Sequence, residues 1–236
     1  MPSDTATDHR SSRSPGHGPD PGSGHASGRR ADRGPDRRAG RDIDELREDR
    51  VIDAELPGLD GRPLRLHATW GLFSPRAIDA GSRLLLEHLD VREDDIALDL
   101  GCGYGPLGLA IARQAPRGQV HLVDRDFVAV DYARANAERN ALPNAEAYLS
   151  NGFDAVPAAL PLTLVVSNLP AKVGNEAYRL IFHDAHARMV PGGRILVVTI
   201  NGLRDFVKRE FRETFGNARK LKQGPGYTVT MAVREP

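Results

Sequence analysis

The chain has 236 residues, of which 40% are hydrophobic and 27% are charged, and this composition suits one soluble globular domain with some unstructured sequence. Its 32 Lys and Arg residues balance 32 Asp and Glu residues, so no overall basic charge indicates a nucleic-acid or membrane partner, and any nucleic-acid site must be local. One cysteine excludes an internal disulfide and a cysteine-based zinc cluster, and no apolar run approaches the roughly 20 residues of a membrane helix, so we expect a cytoplasmic protein without a membrane or metal partner.

The amino-terminal part of the sequence divides into a tail and a short apolar region. Residues 1–42 hold almost no large apolar side chain, so burial cannot offset the entropy lost on ordering, and we expect a disordered tail. We expect the remainder, residues 43–236, to form one domain. Residues 43–79 contain two apolar segments, 50–56 and 63–67, separated by a turn, and this pattern predicts a hairpin. We expect the rest of residues 43–79 to cover a pocket.

Strand and helix patterns alternate over residues 80–236, which we expect to form the core. Each parallel connection between strands needs a crossover helix, so this alternation predicts an α/β, doubly wound, Rossmann-like sheet. Ligands of such sheets bind beyond the carboxyl ends of the strands. The predicted strands cover 96–100, 120–124, 145–150, 162–166, 194–200 and 227–233, and the predicted helices cover 78–89, 107–114, 128–140, 175–189 and 203–215.

A glycine-rich turn separates the strand 96–100 from the helix that follows it. Gly101, Gly103 and Gly105 let the backbone approach a ligand closely. Such a run is a weak signal alone, because tight turns also use glycine for structural reasons. About 20 residues further on the next strand ends in Asp124, whose carboxylate can bind both hydroxyls of a ribose. Together these features predict a nucleoside-containing cofactor.

The residues around the glycines narrow the choice of cofactor. Asp99 precedes them and would repel a pyrophosphate, whereas it suits a cationic ligand such as the ammonium or sulfonium of S-adenosylmethionine. No Gly-Lys-Ser/Thr follows, which excludes a P-loop. Cys102 has no base in its local sequence, so we interpret it as structural. His183 and His186 lack a partner set of metal ligands, and we interpret them as surface or packing residues.

Four strings occur in the order and spacing of the small-domain methyltransferases, namely 73–74, 99–105, 151–154 and 167–170. From about Leu72 to Val233 the chain resembles this family of class I methyltransferases, which includes ribosomal RNA guanine amino methyltransferases, and it looks most similar to single-domain archaeal members. The resemblance implies a seven-strand, mostly parallel sheet with an antiparallel last strand, S-adenosylmethionine as cofactor, and Asn151 beside the adenine. The expected cofactor contacts are Asp99, Gly101, Cys102, Gly103, Gly105, Asp124, Arg125, Asn151, Gly152 and Asn168.

The predicted catalytic residues, Asn168, Leu169 and Pro170, follow the fourth core strand. In methyltransferases that act on planar amino groups this motif is Asn-Pro-Pro followed by an aromatic, and the Asn oxygen and the next carbonyl orient the amino nitrogen. Leu169 preserves that carbonyl, and Pro170 keeps Leu169 extended. Ala171 replaces the aromatic, which removes a stacking surface typically worth about 1–3 kcal/mol per base.

The missing aromatic leaves the recognition of the acceptor open. Either Phe73, Trp70 or Tyr104 stacks the acceptor, or the acceptor is not a flat base. We expect Phe73, Ser74 and Lys172 to bind substrate. A carboxyl-terminal basic patch could follow phosphates, although a solvated helix face is the commoner explanation for such residues. Its members are Arg204, Lys208, Arg209, Arg212, Arg219, Lys220 and Lys222.

Three functions are consistent with this pattern. The leading hypothesis is methylation of the exocyclic amino group of guanine, or with less support adenine, in ribosomal RNA by a monomer or homodimer. The second is methylation of a protein amide or a small metabolite, which Ala171 favours. The third is a non-catalytic scaffold with a cofactor fold, which only the departure from the family motif supports. A structural alternative for Asn168 itself is that it caps the next turn.

Overall fold

Strands and helices alternate along the chain in the computed structural model, which describes residues 49–59 and 61–236. The predicted tail, residues 1–42, lies outside the described residues. The strands are β1 (Arg50–Ala54), β2 (Leu64–Ala68), β3 (Ile96–Leu100), β4 (Gln119–Asp124), β5 (Ala145–Leu149), β6 (Leu162–Asn168), β7 (Met189–Ile200), β8 (Arg219–Gln223) and β9 (Tyr227–Val233). The helices are α1 (Ala80–Leu86), α2 (Pro106–Gln114), α3 (Phe127–Arg139), α4 (Asn175–Arg188) and α5 (Arg204–Phe215), with a 3₁₀ turn at Asn201–Leu203.

Seven of these strands form one sheet in the order β5-β4-β3-β6-β7-β9-β8. Strands β3 to β7 are parallel, and β9 runs antiparallel to both of its neighbours. The predicted doubly wound class with an antiparallel last strand is therefore confirmed. The strand order reverses between β3 and β6, which is where doubly wound folds bind ligands.

The sheet is buried on both faces because its central strands are almost wholly apolar. Along β6, the fully buried Val165 and Val166 point to opposite faces and belong to two separate hydrophobic clusters. Helices α1, α2 and α3 cover one face together with the β1–β2 hairpin, and α4 and α5 cover the other. The central strands are thereby fixed, and with them the loops at their carboxyl ends.

The β1–β2 hairpin is held to the core by two asparagines one turn apart on α3. The Asn136 side chain accepts a hydrogen bond from His67 N at 2.8 Å and donates one to His67 O at 2.9 Å. Asn140 forms the same pair of bonds, each 2.9 Å, with Arg65. The amides thus occupy the outer edge of β2 as a neighbouring strand would. Asn136 also donates to Tyr104 O at 2.9 Å, which ties the hairpin to the glycine loop.

The structure differs from the prediction at several element boundaries and in one additional strand. Helix α1 begins at Ala80 rather than at residue 78, because the Asp79 side chain caps it. Strand β7 begins at Met189, which was predicted as the end of the preceding helix. Strand β8 contains three residues of the predicted basic patch, Arg219, Lys220 and Lys222, and was not predicted as a strand because its mostly exposed side chains lack the apolar alternation of a half-buried strand. No helix in the described part of the chain is long and apolar enough to cross a membrane.

Candidate active site

The glycine loop is fastened to the neighbouring strand at the point where β3 ends. Gly101 N and Cys102 N both donate to Val123 O, at 2.9 and 3.0 Å. Gly101, Gly103 and Gly105 have φ values of 75°, 56° and 95°, a region that side chains with a Cβ rarely adopt. The loop therefore turns sharply and presents backbone rather than side chains at the sheet's carboxyl edge.

Asp124 lies directly against this loop. Its Oδ2 accepts a hydrogen bond from Gly103 N at 3.0 Å, and its Oδ1 accepts one from Asp126 N at 3.0 Å. An ionised carboxylate has about four acceptor positions, so both oxygens retain capacity for a ribose diol. The adjacent Arg125 is exposed to solvent. The structure thus brings Asp124 to the glycine loop, as its predicted role requires.

Asp99 is completely buried beneath the loop. Its Oδ2 accepts a hydrogen bond from Gly108 N at 2.8 Å, whereas no described residue donates to its Oδ1. Glycine is needed at position 108, because a Cβ there would lie 2.6 Å from Leu122 Cγ. Burial, with a smaller contribution from the charge of Asp124, raises the pKa of Asp99 to about 7 against the opposing effect of the Gly108 bond. An orphaned acceptor of this kind fits a cofactor that carries positive charge.

Asn151 lies in the turn after β5, at the same edge of the sheet. Its side chain is exposed and donates to Asp154 Oδ2 at 3.3 Å. Gly152 has a φ of 61°, and its carbonyl accepts a hydrogen bond from Ser150 Oγ at 2.8 Å. This turn holds the Asn151 amide at the solvent edge of the site, where an adenine would arrive. Its role in cofactor binding stays a prediction.

Cys102 has no feature of a nucleophile. Its side chain is buried, and Sγ contacts Gly103 O at 3.4 Å. Burial raises the pKa of the Cys102 thiol well above its ordinary value, and the nearby Asp99 and Asp124 charges raise it further. The thiol therefore stays protonated, as a structural residue of the loop.

Asn168 ends β6 beside the glycine loop. Its Nδ2 donates to Asp79 Oδ2 at 2.9 Å and to Ser82 Oγ at 3.0 Å, while no described residue donates to its Oδ1. Leu169 N donates to Val198 O at 3.1 Å, which continues the pairing of β6 with β7 beyond the end of β6. The carbonyl of Pro170 accepts a hydrogen bond from the Tyr178 hydroxyl. The Asn168 oxygen therefore remains available to a hydrogen-bond donor.

The partners of Asn168 were not found from the sequence. Asp79 caps α1 by accepting from Gly81 N at 2.8 Å and Ser82 N at 3.2 Å through Oδ2. Its Oδ1 accepts from the Tyr227 hydroxyl at 3.0 Å. An Asp directly before a helical pattern is an N-cap signal that would have identified Asp79. Its contact with Asn168, 89 positions away, has no local signal.

The three candidate stacking aromatics have different environments. Tyr104 is only 2% exposed, and its hydroxyl donates to Ser74 O at 3.1 Å, so its proposed role in stacking is wrong. Trp70 is 75% exposed and Phe73 is 65% exposed, and both lie on the loop that leads to Asp79. These two rings, unlike Tyr104, are free to stack on a base.

The remaining predicted residues are two substrate-binding candidates, Ser74 and Lys172, and the carboxyl-terminal basic patch. Ser74 has a φ of 49°, and its hydroxyl donates to Ala77 O at 2.7 Å, so it shapes the loop that carries Phe73. Lys172 is exposed next to the Asn168 motif. In the basic patch, Arg209 pairs with Glu210 and Glu213 and Arg204 pairs with Asp205, whereas the cations of β8 are exposed on an edge strand of the sheet.

The predicted packing role fits His186, whose ring packs edge-on against Phe215 with the ring centroids 5.1 Å apart. Within residues 49–59 and 61–236, no three His, Cys, Asp or Glu side chains gather in a way that could hold a metal ion.

Comparison with known proteins places the described site within one family. The family model described as "Methyltransferase small domain" matches residues 63–231. The Bacillus subtilis protein YbxB, itself uncharacterized, is 33% identical over 165 residues, which are 69% of this chain and 82% of YbxB. The ribosomal RNA large subunit methyltransferase G of Streptomyces avermitilis is 34% identical over 183 residues, which are 75% of this chain and 47% of that relative.

A solved structure shares both the fold and part of the sequence. It is the T. thermophilus 16S rRNA methyltransferase RsmC, which acts on N2 of a G, in complex with AdoMet and guanosine. The TM-score is 0.71 at 30% identity, over 79% of this chain and 51% of RsmC. The chain thus spans about half the length of the rRNA methyltransferases that it matches.

Proposed function

The chain belongs to the methyltransferase small-domain family of S-adenosylmethionine-dependent enzymes, and we propose that its acceptor is the exocyclic amino group of guanine in ribosomal RNA. The observation that carries this proposal is the available oxygen of Asn168 at the carboxyl edge of β6, beside the glycine loop. The rRNA methyltransferases among the relatives support the same acceptor class. The proposal includes action in the cytoplasm as a monomer or homodimer.

The cofactor would be held by groups that lie on the glycine-loop side of the site. Asp124 would bind the ribose, and Asn151 would contact the adenine. The orphaned oxygen of Asp99 would compensate the positive charge of the methionine end, directly or through a water. When bound, S-adenosylmethionine supplies an electrophilic methyl group on a sulfonium.

The chain's part in the reaction is to orient the acceptor nitrogen. Asn168 Oδ1 and the Leu169 carbonyl would each accept one amino hydrogen, so that the nitrogen lone pair points toward the methyl carbon. The nitrogen held by Asn168 and Leu169 would take up the methyl group in exchange for that carbon's bond to sulfur, and it would become cationic. Its surplus proton then passes to solvent, so the site needs no strong base. The two carbonyl oxygens stabilise the positive charge while it develops.

The test is methyl transfer by the purified full chain to deproteinised ribosomal RNA from a strain that lacks the gene. We expect mass spectrometry of the nucleosides to show N2-methylguanosine. Asn168→Ala should lower kcat by about 100- to 1,000-fold, because a group that acts at the transition state is removed. Since Asn168 is also a predicted cofactor contact, the affinity of the variant for S-adenosylmethionine should fall as well, but by no more than about tenfold, as for one hydrogen bond.

A protein amide is the second candidate acceptor, because Ala171 is exposed where the family motif has an aromatic. Tritiated cofactor with separated RNA, protein and metabolite pools distinguishes the candidates. Label in protein or metabolites, with no methylated guanosine missing from the deletion strain, would contradict the proposed acceptor. Cofactor binding without labelling of any pool would favour the scaffold hypothesis.

A further inference from the structure

We propose that Asp79 is a positioning residue that fixes the orientation of the Asn168 side-chain amide and thereby makes the site select acceptors that donate hydrogen bonds. The inference rests on the proposed function, because it concerns how the same site distinguishes an amino group from an unprotonated ring nitrogen or a keto oxygen. It assigns a role to a residue outside the Asn168 motif.

The two ends of an asparagine amide have almost the same shape but opposite hydrogen-bonding roles. The Asn168 amide could therefore present either its oxygen or its NH₂ group to the acceptor. Asp79 removes that choice, since a carboxylate only accepts hydrogen bonds and its Oδ2 lies 2.9 Å from Asn168 Nδ2. A flipped amide would place its oxygen against the carboxylate oxygen with no proton between them. Ser82 Oγ, 3.0 Å from the same Nδ2, accepts a second hydrogen bond, but a hydroxyl could also donate to an oxygen, so the carboxylate of Asp79 is the group that sets the orientation.

Asp79 is itself held in place from two other elements. Its Oδ2 accepts from the first backbone amides of α1, at 2.8 Å for Gly81 and 3.2 Å for Ser82. Its Oδ1 accepts from the hydroxyl of Tyr227, at the start of β9, at 3.0 Å. A swing of the carboxylate away from Asn168 would leave these donors unpaired, which is costly at a partly buried position. The orientation of the amide is therefore imposed by α1 and β9 together.

The fixed amide presents an oxygen to the reacting position, so the site favours atoms that donate a hydrogen bond over atoms that accept one. Guanine presents acceptors at N7 and O6, a donor with one hydrogen at N1, and a donor with two hydrogens at its exocyclic amino group. An acceptor atom placed against Asn168 Oδ1 would face a second acceptor, and of the two donors only the amino group has a further hydrogen for the Leu169 carbonyl. The carboxylate also polarises the amide through the Asp79–Asn168 bond, which strengthens Oδ1 as an acceptor. Asp79 thus contributes to both the selection and the orientation of the amino group.

Two substitutions of Asp79 separate its contact with Asn168 from its role as a helix cap. In Asp79→Ser the hydroxyl still caps α1 but is too short to reach Asn168. We expect kcat for deproteinised rRNA to fall about 100-fold, because a catalytic group is misplaced. The KM for RNA and the calorimetric affinity for S-adenosylmethionine should change less than about threefold, since neither contact involves Asp79. Asp79→Asn keeps an acceptor oxygen for the cap and for Asn168, so it should restore most of the activity.

Two further variants complete the set. Ser82→Ala removes the second partner of Asn168 without touching the Asp79 cap, and we expect kcat to fall by about fivefold, as for one neutral hydrogen bond. It also provides the test if Asp79→Ser fails to fold. Asp131→Ser is the matched control, because Asp131 is an exposed acid on α3 whose only ion pair is with Arg134 among the described residues. Its activity should equal that of the wild type.

A second readout does not depend on activity. The ¹⁵N side-chain amide signal of Asn168, identified by its disappearance in Asn168→Ala, should exchange its hydrogens with solvent at least about tenfold faster in Asp79→Ser, because its charge-assisted hydrogen bond is lost. Unchanged exchange, or a kcat within threefold of the wild type, would overturn the role of Asp79. A loss of activity that only parallels a loss of cofactor affinity or thermal stability would also overturn it. If the wild type methylates no RNA, the proposed function fails, and the exchange measurement still decides the orientation of the amide.

Discussion

The cofactor side and the acceptor side of the site are built in different ways. On the cofactor side, Asp124 accepts a hydrogen bond from the backbone of Gly103, 21 positions earlier in the sequence, and most of the groups presented there are backbone atoms of one tight turn. On the acceptor side, Asp79 binds Asn168 across 89 positions and Tyr227 across 148, through side chains alone. From this difference we expect cofactor binding to depend on a local turn and acceptor selection to depend on packing between distant elements.

The strongest test of the cofactor side is Asp124→Ala. This change removes the predicted ribose contact and the acceptor for Gly103 N, which holds the loop. Since hydrogen bonds to charged groups contribute about 1.5–3 kcal/mol each, we expect the affinity for S-adenosylmethionine to fall at least 100-fold. Calorimetry measures this directly, and Asp131→Ala serves as the control. An affinity within tenfold of the wild type would mean that the ribose is bound elsewhere.

The corresponding test of the acceptor side uses Trp70→Ala and Phe73→Ala. Both rings are exposed, so their removal should leave the melting temperature and the cofactor affinity unchanged. If they stack on RNA bases, each change should raise the KM for RNA by about 5- to 160-fold, which corresponds to about 1–3 kcal/mol per stacked base. Leu180→Ala is a control of similar exposure, 65%, on α4. Equal KM values for all three variants would show that neither ring replaces the missing aromatic.

The ionisation of Asp99 gives a smaller, pH-dependent test of the cofactor side. Its pKa rises from 3.8 to about 7 on folding, so the folded protein binds more protons than the unfolded chain between these values. The free energy of unfolding should therefore fall as the pH rises from about 4 to about 7, and Asp99→Asn should flatten this dependence. Denaturant titrations at several pH values measure the slope.

The same group should make cofactor binding pH-dependent. A cation favours the ionised carboxylate. As the pH rises toward 7, the cofactor affinity of the wild type relative to Asp99→Asn should therefore increase by up to about tenfold per pH unit, and above pH 7 the ratio should level off. Identical pH profiles for the two proteins would show that Asp99 does not sense the positive charge of the cofactor.

Features that depend on local sequence could be predicted, as on the cofactor side, whereas features that depend on contacts between distant elements could not, as on the acceptor side. The order of strands and helices was predicted because apolar periodicity is local, and the glycine loop with Asp124 was predicted because its residues lie in two short segments. Strand β8 was missed because its exposed, basic side chains lack that periodicity. The burial of Tyr104 was missed because it depends on the distant loop at Ser74, and Asp79 was missed because its partner Asn168 lies on another element.

The smallest effect is expected at Cys102, which lies in the glycine loop that Asp124 holds in place. A catalytic thiol should be accessible and have a lowered pKa, whereas that of Cys102 is buried and its pKa is raised. Cys102→Ala should therefore keep kcat and cofactor affinity within about twofold and lower the free energy of unfolding by only about 1 kcal/mol, as for the loss of one small buried group. Denaturant titration and steady-state kinetics measure both quantities. A loss of kcat like that expected for Asn168→Ala would make Cys102 part of the chemistry. It would also contradict the view that this loop acts through its backbone, and the division between the two sides of the site would then fail.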